Sequence, residues 1–263
     1  MLYPAGPNSE RIAHPRKFHR IVIGICLAAG AANALNQFWD RDIDPIMART
    51  RTRRPIPSGR IRPRSALWFS AVSGTLALWL LTAAGNMLAA AIGLGTILFY
   101  VCIYTVWLKR RTWLNIVIGG AAGAAPPLIG WTAGAGELNI VPLLMALVIL
   151  LWTPPHFWAL ALYTKKEYAL AGIPMLPVVA GERATRMQIT VYVALLLPVT
   201  AFLGIRADLG AIFLLGTTLL GVQFIRKVIR LRLRKDDQSA RELFGYSFFY
   251  LTAVFTLMLV QGP

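Results

Sequence analysis

Apolar stretches of about 20 residues recur along the whole chain, and they limit its fold more than any other feature. A helix rises ~1.5 Å per residue, so each stretch is long enough to cross a hydrocarbon layer of ~30 Å. Eight spans are predicted, at about 18–39, 65–84, 87–108, 113–133, 140–162, 187–205, 209–229 and 243–261. Unpaired backbone is too costly in lipid, and the strict alternation of barrel strands is missing, so the spans are read as helices. The expectation is an all-α, polytopic transmembrane helical bundle set in a lipid bilayer. A charged content of 14% against the roughly 25% of soluble domains fits that class.

The formal charge of +16 would suit nucleic acid if the basic residues formed one face. They sit instead in short connections between spans, which removes nucleic acid as a partner. The connections after spans one, three, five and seven hold 22 of the 27 lysines and arginines. Excess basic charge marks cytoplasmic loops, so these four are expected on the cytoplasmic side, as in a bacterial inner membrane protein. The same rule strands Arg11, Arg16, Lys17 and Arg20 on the opposite side with Arg206. Cys26 and Cys102 lie inside apolar runs without paired spacing and are read as small core residues.

The chain divides into a polar N-terminal segment, residues 1–17, and one transmembrane domain, residues 18–263. Acids follow the first and fifth spans, and basic clusters follow the third and seventh. That recurrence predicts a four-plus-four pseudo-repeat over about 18–133 and 140–261.

Polar chemistry concentrates in NQFWDRDIDPIMARTRTRRPIPSGR, residues 36–60. Asn36, Asp40 and Asp44 are four apart, so a continuing helix aligns them in one stripe drifting by about 40° per step. Pro45 disfavours helical geometry at Asp44 and ends the helix there. Asp42 falls off the stripe, with Arg41 or Arg49 as its expected partner. Carboxylates with an amide oxygen suit Mg²⁺, which is commonly held by one or two carboxylates plus substrate phosphates. Arginines nearby suit phosphate oxygens in bidentate fashion, and together they describe a diphosphate site. Solvated ion pairs ordering a membrane-border loop would explain the same spacing. A second acidic connection, YTKKEYALAGIPMLPVVAG (163–181), supplies Tyr163, Glu167 and Tyr168 from the same side. His156 in LLWTPPHFWALAL sits at bilayer depth beside Pro154 and Pro155, where an ionisable residue is a functional candidate or a neutral cross-helix hydrogen-bonder. Pro126 and Pro127 are expected to interrupt the fourth span.

Asn36, Asp40 and Asp44, followed by RRPIPSGR, resemble the first aspartate-rich motif of the UbiA superfamily of intramembrane prenyltransferases. LKRRTWLNIVIGGAAGAAPPLIGW, TPPHFWALAL and YTKKEYALAGIPMLPVVAG resemble, within it, the protohaem IX farnesyltransferase (haem O synthase) family, from about residue 20 to the end. The resemblance implies farnesyl transfer from farnesyl diphosphate to a vinyl group of haem B, giving haem O. It implies Mg²⁺ held by Asn36, Asp40, Asp44 and Glu167, the last three being catalytic. Arg49, Arg54, Lys109, Arg110 and Tyr163 would bind diphosphate, and His156 would face the haem. A downstream haem-processing enzyme or terminal oxidase assembly is an implied partner. The family usually has Asp at the position of Glu167, and it normally has nine spans, so a first span is expected to be missing here. A prenyltransferase with a hydroxybenzoate or chlorophyllide acceptor, and a non-catalytic haem transporter or assembly protein, are the competing readings.

Overall fold

The computed structural model describes residues 15–261. Arg11 and His14, with most of the polar N-terminal segment, lie outside the described residues. Every regular element among the described residues is helical, and eight helices are long and apolar enough to span a membrane. The eight predicted spans are therefore all present.

Contacts gather the chain into two compact units. Among the described residues, the first comprises 15–108 with Ala122–Leu143, and the second comprises Lys109–Ala121 with 144–261.

In the first unit, α1 (Pro15–Trp39) is followed by a 3₁₀ turn over Asp40–Asp42 and the one-turn α2 (Ala48–Arg51). Next comes α3 (Pro63–Ala84), with proline in its first turn, where a missing N–H costs nothing. α4 (Met87–Leu98) starts on Asn86, whose side chain accepts from Ala89 N at 2.8 Å and donates to the Thr132 carbonyl. It runs on as a π-helix over Phe99–Leu108. Lipid tails are as apolar as leucine, so close backbone approach holds such helices together. α1 and α3 meet through small residues: a Cβ on Gly24 would lie 3.1 Å from Leu81. Ser70 Oγ crosses between them to Ala31 O at 3.0 Å, and such bonds average about 0.6 kcal/mol in membranes.

The fourth span is broken, as the Pro126–Pro127 pair predicts, but the break falls at Ala124. α5 (Asn115–Gly123) stops there, and α6 (Ala125–Ala135) takes both prolines into its first turn. α6 packs on α3 and α4 through Ile129 and Ala133, against Leu81, Ala84 and Ala89.

In the second unit, α7 (Ile140–Tyr163) passes through Pro154 and Pro155 without ending. Short α8 (Lys165–Leu170) and α9 (Leu176–Val179) lead to α10 (Gly181–Arg206), α11 (Gly210–Arg234) and α12 (Asp237–Gln261). α10 starts about six residues before the predicted sixth span, because a polar start in which Arg186 pairs with Glu182 one turn earlier extends it beyond the apolar stretch. Tyr250 donates to Thr200 Oγ1 at 2.9 Å, and Glu242 receives Lys227 and Arg230 at 2.8 Å each. The cysteines correct their sequence reading: both are exposed free thiols on outward helix faces rather than core residues.

Gly85 ends α3 where an added Cβ would lie 2.5 Å from the Leu81 carbonyl oxygen and 3.0 Å from Ala133. Gly95, inside α4, has open space at that position. Gly85→Ala should therefore cost about 1–3 kcal/mol, read as a fall in the thermal midpoint of the detergent-solubilised protein by tryptophan fluorescence. Gly95→Ala should leave the midpoint unchanged or raised.

Candidate active site

Asn36, Asp40 and Asp44 are almost wholly withdrawn from solvent, at 1%, 0% and 2% exposure. The stripe predicted for them survives the end of α1. After Trp39 the chain tightens, with Ile43 N bonded to Asp40 O at 3.0 Å, while Asp44 N keeps a helical bond to the same oxygen at 2.9 Å. Pro45 then diverts the backbone. Asp44 is held in place by Thr50, whose hydroxyl donates to its carbonyl at 2.7 Å.

Buried carboxylates need compensation, because an unpaired charge in a low-dielectric site is prohibitively costly. Arg54 provides it. Its Nη1 lies 2.6 Å from Asp44 Oδ2 and 3.6 Å from Asp40 Oδ2. Burial works against the guanidinium charge, yet the hydrogen bond and charge of Asp44, with Asp40 behind them, hold its pKa above the ordinary arginine value. Asn36 Nδ2 donates to Asp40 Oδ2 at 2.9 Å and to Thr105 Oγ1 at 3.1 Å. The amide oxygen of Asn36 is buried without a hydrogen-bond partner. Arg41 lies over the Phe38 ring and donates to the Phe38 carbonyl, while Asp42 and Arg49 are exposed.

Among the described residues, no three His, Cys, Asp or Glu side chains assemble a ready-made metal centre. The donor set nevertheless fits a cation that completes its shell with substrate oxygens. Two carboxylates and an unsatisfied amide oxygen are the hard donors that Mg²⁺ takes when diphosphate supplies the rest.

On the N-terminal side of Asn36, α1 borders a cavity of about 190 Å³ lined mostly by apolar groups, among them Ala29, Ala32, Gly93 and Ile129. Asn33, Thr96 and Tyr100 are its polar contributors. Asn33 precedes Asn36 by three residues, less than one turn at 3.6 residues per turn. Asn36 and the apolar chamber thus share α1, and the buried acids follow directly after its end.

The other predicted residues belong to the second unit. Lys109 and Arg110 are half-buried at the start of a turn closed by Asn115, whose Nδ2 donates to Lys109 O at 3.2 Å. Glu167 is half-buried on α8, and its Oε2 has no hydrogen-bond partner. Tyr163 lies beneath the guanidinium of Arg241, 4.2 Å from its ring centroid. His156 is 8% exposed and sandwiched between Trp152 at 4.3 Å and Phe244 at 4.4 Å. Ser247 Oγ donates to Phe244 O at 2.7 Å, so it accepts from His156 Nδ1–H at 2.8 Å. The lone pair then sits on Nε2.

Thr105, Thr50, Arg241, Phe244 and Ser247 were not singled out in the sequence. A threonine inside an apolar span normally bonds its own preceding turn, and nothing local distinguishes Thr105 from that pattern.

Removing Arg54 takes the guanidinium away from a buried carboxylate, so Arg54→Ala should cost about 3 kcal/mol. Paired with Asp44→Leu, much of that loss should return. The thermal midpoints of the two single variants and the double variant check this, since full additivity would mean the pair is not coupled.

The family model described as the UbiA prenyltransferase family matches residues 7–253. A protein named protoheme IX farnesyltransferase from Symbiobacterium thermophilum is 48% identical over 242 residues, 91% of this chain and 80% of that protein. Another of that name, from Teredinibacter turnerae, is 50% identical over 239 residues, 91% of this chain and 76% of that one. Among solved structures, one described with digeranylgeranylglyceryl phosphate synthase in membranes superposes with a TM-score of 0.73 at 20% identity, covering 94% of this chain and 92% of that one. A UbiA homolog from Archaeoglobus fulgidus bound to DMAPP and Mg²⁺ gives 0.71 at 15% identity, covering 95% and 90%. A stripe of buried acids at the end of an apolar helix, in a fold shared with these structures and a sequence matched over nearly its whole length, has one reading: this chain is a membrane-embedded prenyltransferase that belongs to the UbiA prenyltransferase family.

Proposed function

We propose that the chain transfers the farnesyl group of farnesyl diphosphate to a vinyl group of haem B, giving haem O, in a magnesium-dependent reaction. The observation that carries this reading is the buried Asn36–Asp40–Asp44 stripe beside an apolar cavity on α1. The relatives named protoheme IX farnesyltransferase support the acceptor, and the neighbour bound to DMAPP and Mg²⁺ supports the metal.

Asn36, Asp40 and Asp44, with Glu167 from the second acidic connection, are the residues that would hold Mg²⁺. When bound, the ion would neutralise charge developing on the departing diphosphate. Arg49, Arg54, Lys109, Arg110 and Tyr163 would bind the departing diphosphate, and electrostatic stabilisation of this kind usually dominates such chemistry. The allylic C–O bond breaks and its electron pair leaves with diphosphate. The prenyl cation is then attacked by the vinyl group, forming a C–C bond. Water adds to the resulting cation and loses a proton, which leaves the hydroxyl of haem O. The apolar chamber keeps water from the prenyl cation until the vinyl group arrives.

Both faces of the His156 ring are covered by aromatic rings, so it would meet haem edge-on through Nε2. Asp40 and Glu167 belong to different units, and their convergence on one diphosphate is part of the proposal. So are a single prenyltransferase domain over 18–263, its four-plus-four pseudo-repeat, cytoplasmic acidic loops and a bacterial inner membrane.

Purified protein incubated with haem B, farnesyl diphosphate and Mg²⁺ should yield haem O by mass spectrometry. Chelation should abolish the product, and Asp40→Ala should lower turnover by about 10²-fold or more. Prenylated hydroxybenzoate in place of haem O would move the acceptor to an aromatic acid. Absence of turnover with every acceptor would end the enzymatic assignment. Separately, Glu167→Asp should keep activity while Glu167→Gln loses most of it. Equal rates in the two would remove Glu167 from the metal site.

A further inference from the structure

Thr105 sits on the third span, 69 residues from Asn36 in sequence, and is fully buried beside it. It belongs to the π-helical stretch Phe99–Leu108, a geometry that is rare and often found at functional sites. Its hydroxyl donates to the carbonyl of Tyr100, five residues back, at 2.8 Å. A hydroxyl has one proton. With that proton spent on Tyr100, the oxygen can only accept from Asn36, so the amide must turn its NH₂ toward Thr105. Asp40 Oδ2 accepts from the same NH₂ at 2.9 Å. Both amide protons are thereby used, and Oδ1 is left buried with no hydrogen-bond partner.

We propose that Thr105 is a positioning residue that locks the amide orientation of Asn36, so that Oδ1 is presented to a divalent cation. Asp40 Oδ2 favours the same orientation, and Thr105 adds the second acceptor that keeps both amide protons engaged, since an NH₂ turned toward the cation would repel it. The π turn is what makes the lock work, because its wider winding brings the Thr105 hydroxyl over the Tyr100 carbonyl. A purely structural reading would have Thr105 tie α1 to the third span without regard to which amide atom faces the site. The two readings differ in what the hydroxyl controls: metal affinity in one, stability alone in the other. This inference rests on the reading of Asn36 as a metal ligand, and outer-shell partners of that kind typically change metal affinity by 10- to 100-fold.

The test uses full-length wild-type protein and the variants Asn36→Ala, Thr105→Val, Thr105→Ala and Thr105→Ser. Mn²⁺ binding is followed by electron paramagnetic resonance in the presence of an unreactive farnesyl thiolodiphosphate, and thermal midpoints are taken without metal. Thr105→Val and Thr105→Ala should weaken Mn²⁺ binding at least tenfold, while Thr105→Ser, which keeps the hydroxyl, stays within about threefold of wild type. Should Thr105→Val not fold, the Thr105→Ala and Thr105→Ser pair carries the same comparison. Wild-type affinity in Thr105→Ala, with Asn36→Ala impaired, overturns the lock and leaves the metal site standing. Equal affinity in wild type and Asn36→Ala overturns both. A lowered midpoint in Thr105→Ala with unchanged Mn²⁺ affinity assigns Thr105 to packing and also overturns the lock.

Discussion

Two carboxylates withdrawn from water within one helical turn of each other are the constraint around which the first unit is organised. At the burial of Asp40 and Asp44, carboxylates need hydrogen-bond donors close by. The chain places a guanidinium from Arg54, the amide of Asn36 and a backbone hold from Thr50 around them. The dense arginines that follow α1 are therefore not uniform. Arg54 turns inward to the acids, Arg41 covers Phe38, and Arg49 remains exposed.

Close packing makes the arrangement sturdy. Gly24, Ala31 and Gly74 let α1 and α3 approach until backbone and side chains touch, which in lipid replaces the hydrophobic drive of a soluble core. Small residues also leave space. Ala29, Ala32 and Gly93 cannot fill the room between helices, and the cavity bordering α1 is the result. Composition that reads as a packing device thus also makes a chamber, and under the proposed function it receives the prenyl chain.

In the second unit the same logic produces a different object. Two successive prolines would ordinarily break a helix, yet α7 continues because the turn around them is packed rather than open to lipid. Trp152 donates to Ser247 O, His156 bonds Ser247 Oγ, and Phe244 stacks on the imidazole, so α12 braces that turn. Gly120 adds its support from α5, since a Cβ there would lie 3.1 Å from Thr153.

Residue type and spacing alone determined the helical class, the eight spans and the acid stripe. Apolar length against bilayer thickness, and four-residue spacing against helical pitch, are local quantities. They located Asn36, Asp40 and Asp44 on one face and marked His156 as unusual at its depth. Contacts distant in sequence were decided only by the tertiary structure. Arg54 looks like its neighbours Arg51 and Arg53 until the loop folds back, and Thr105 looks like any span threonine until the π winding sets it against Asn36. The break in the fourth span fell at Ala124 because prolines are accommodated in a first turn, and the cysteines faced outward because helix rotation is set by partners. Periodicity says which residues share a face, but packing chooses what that face meets.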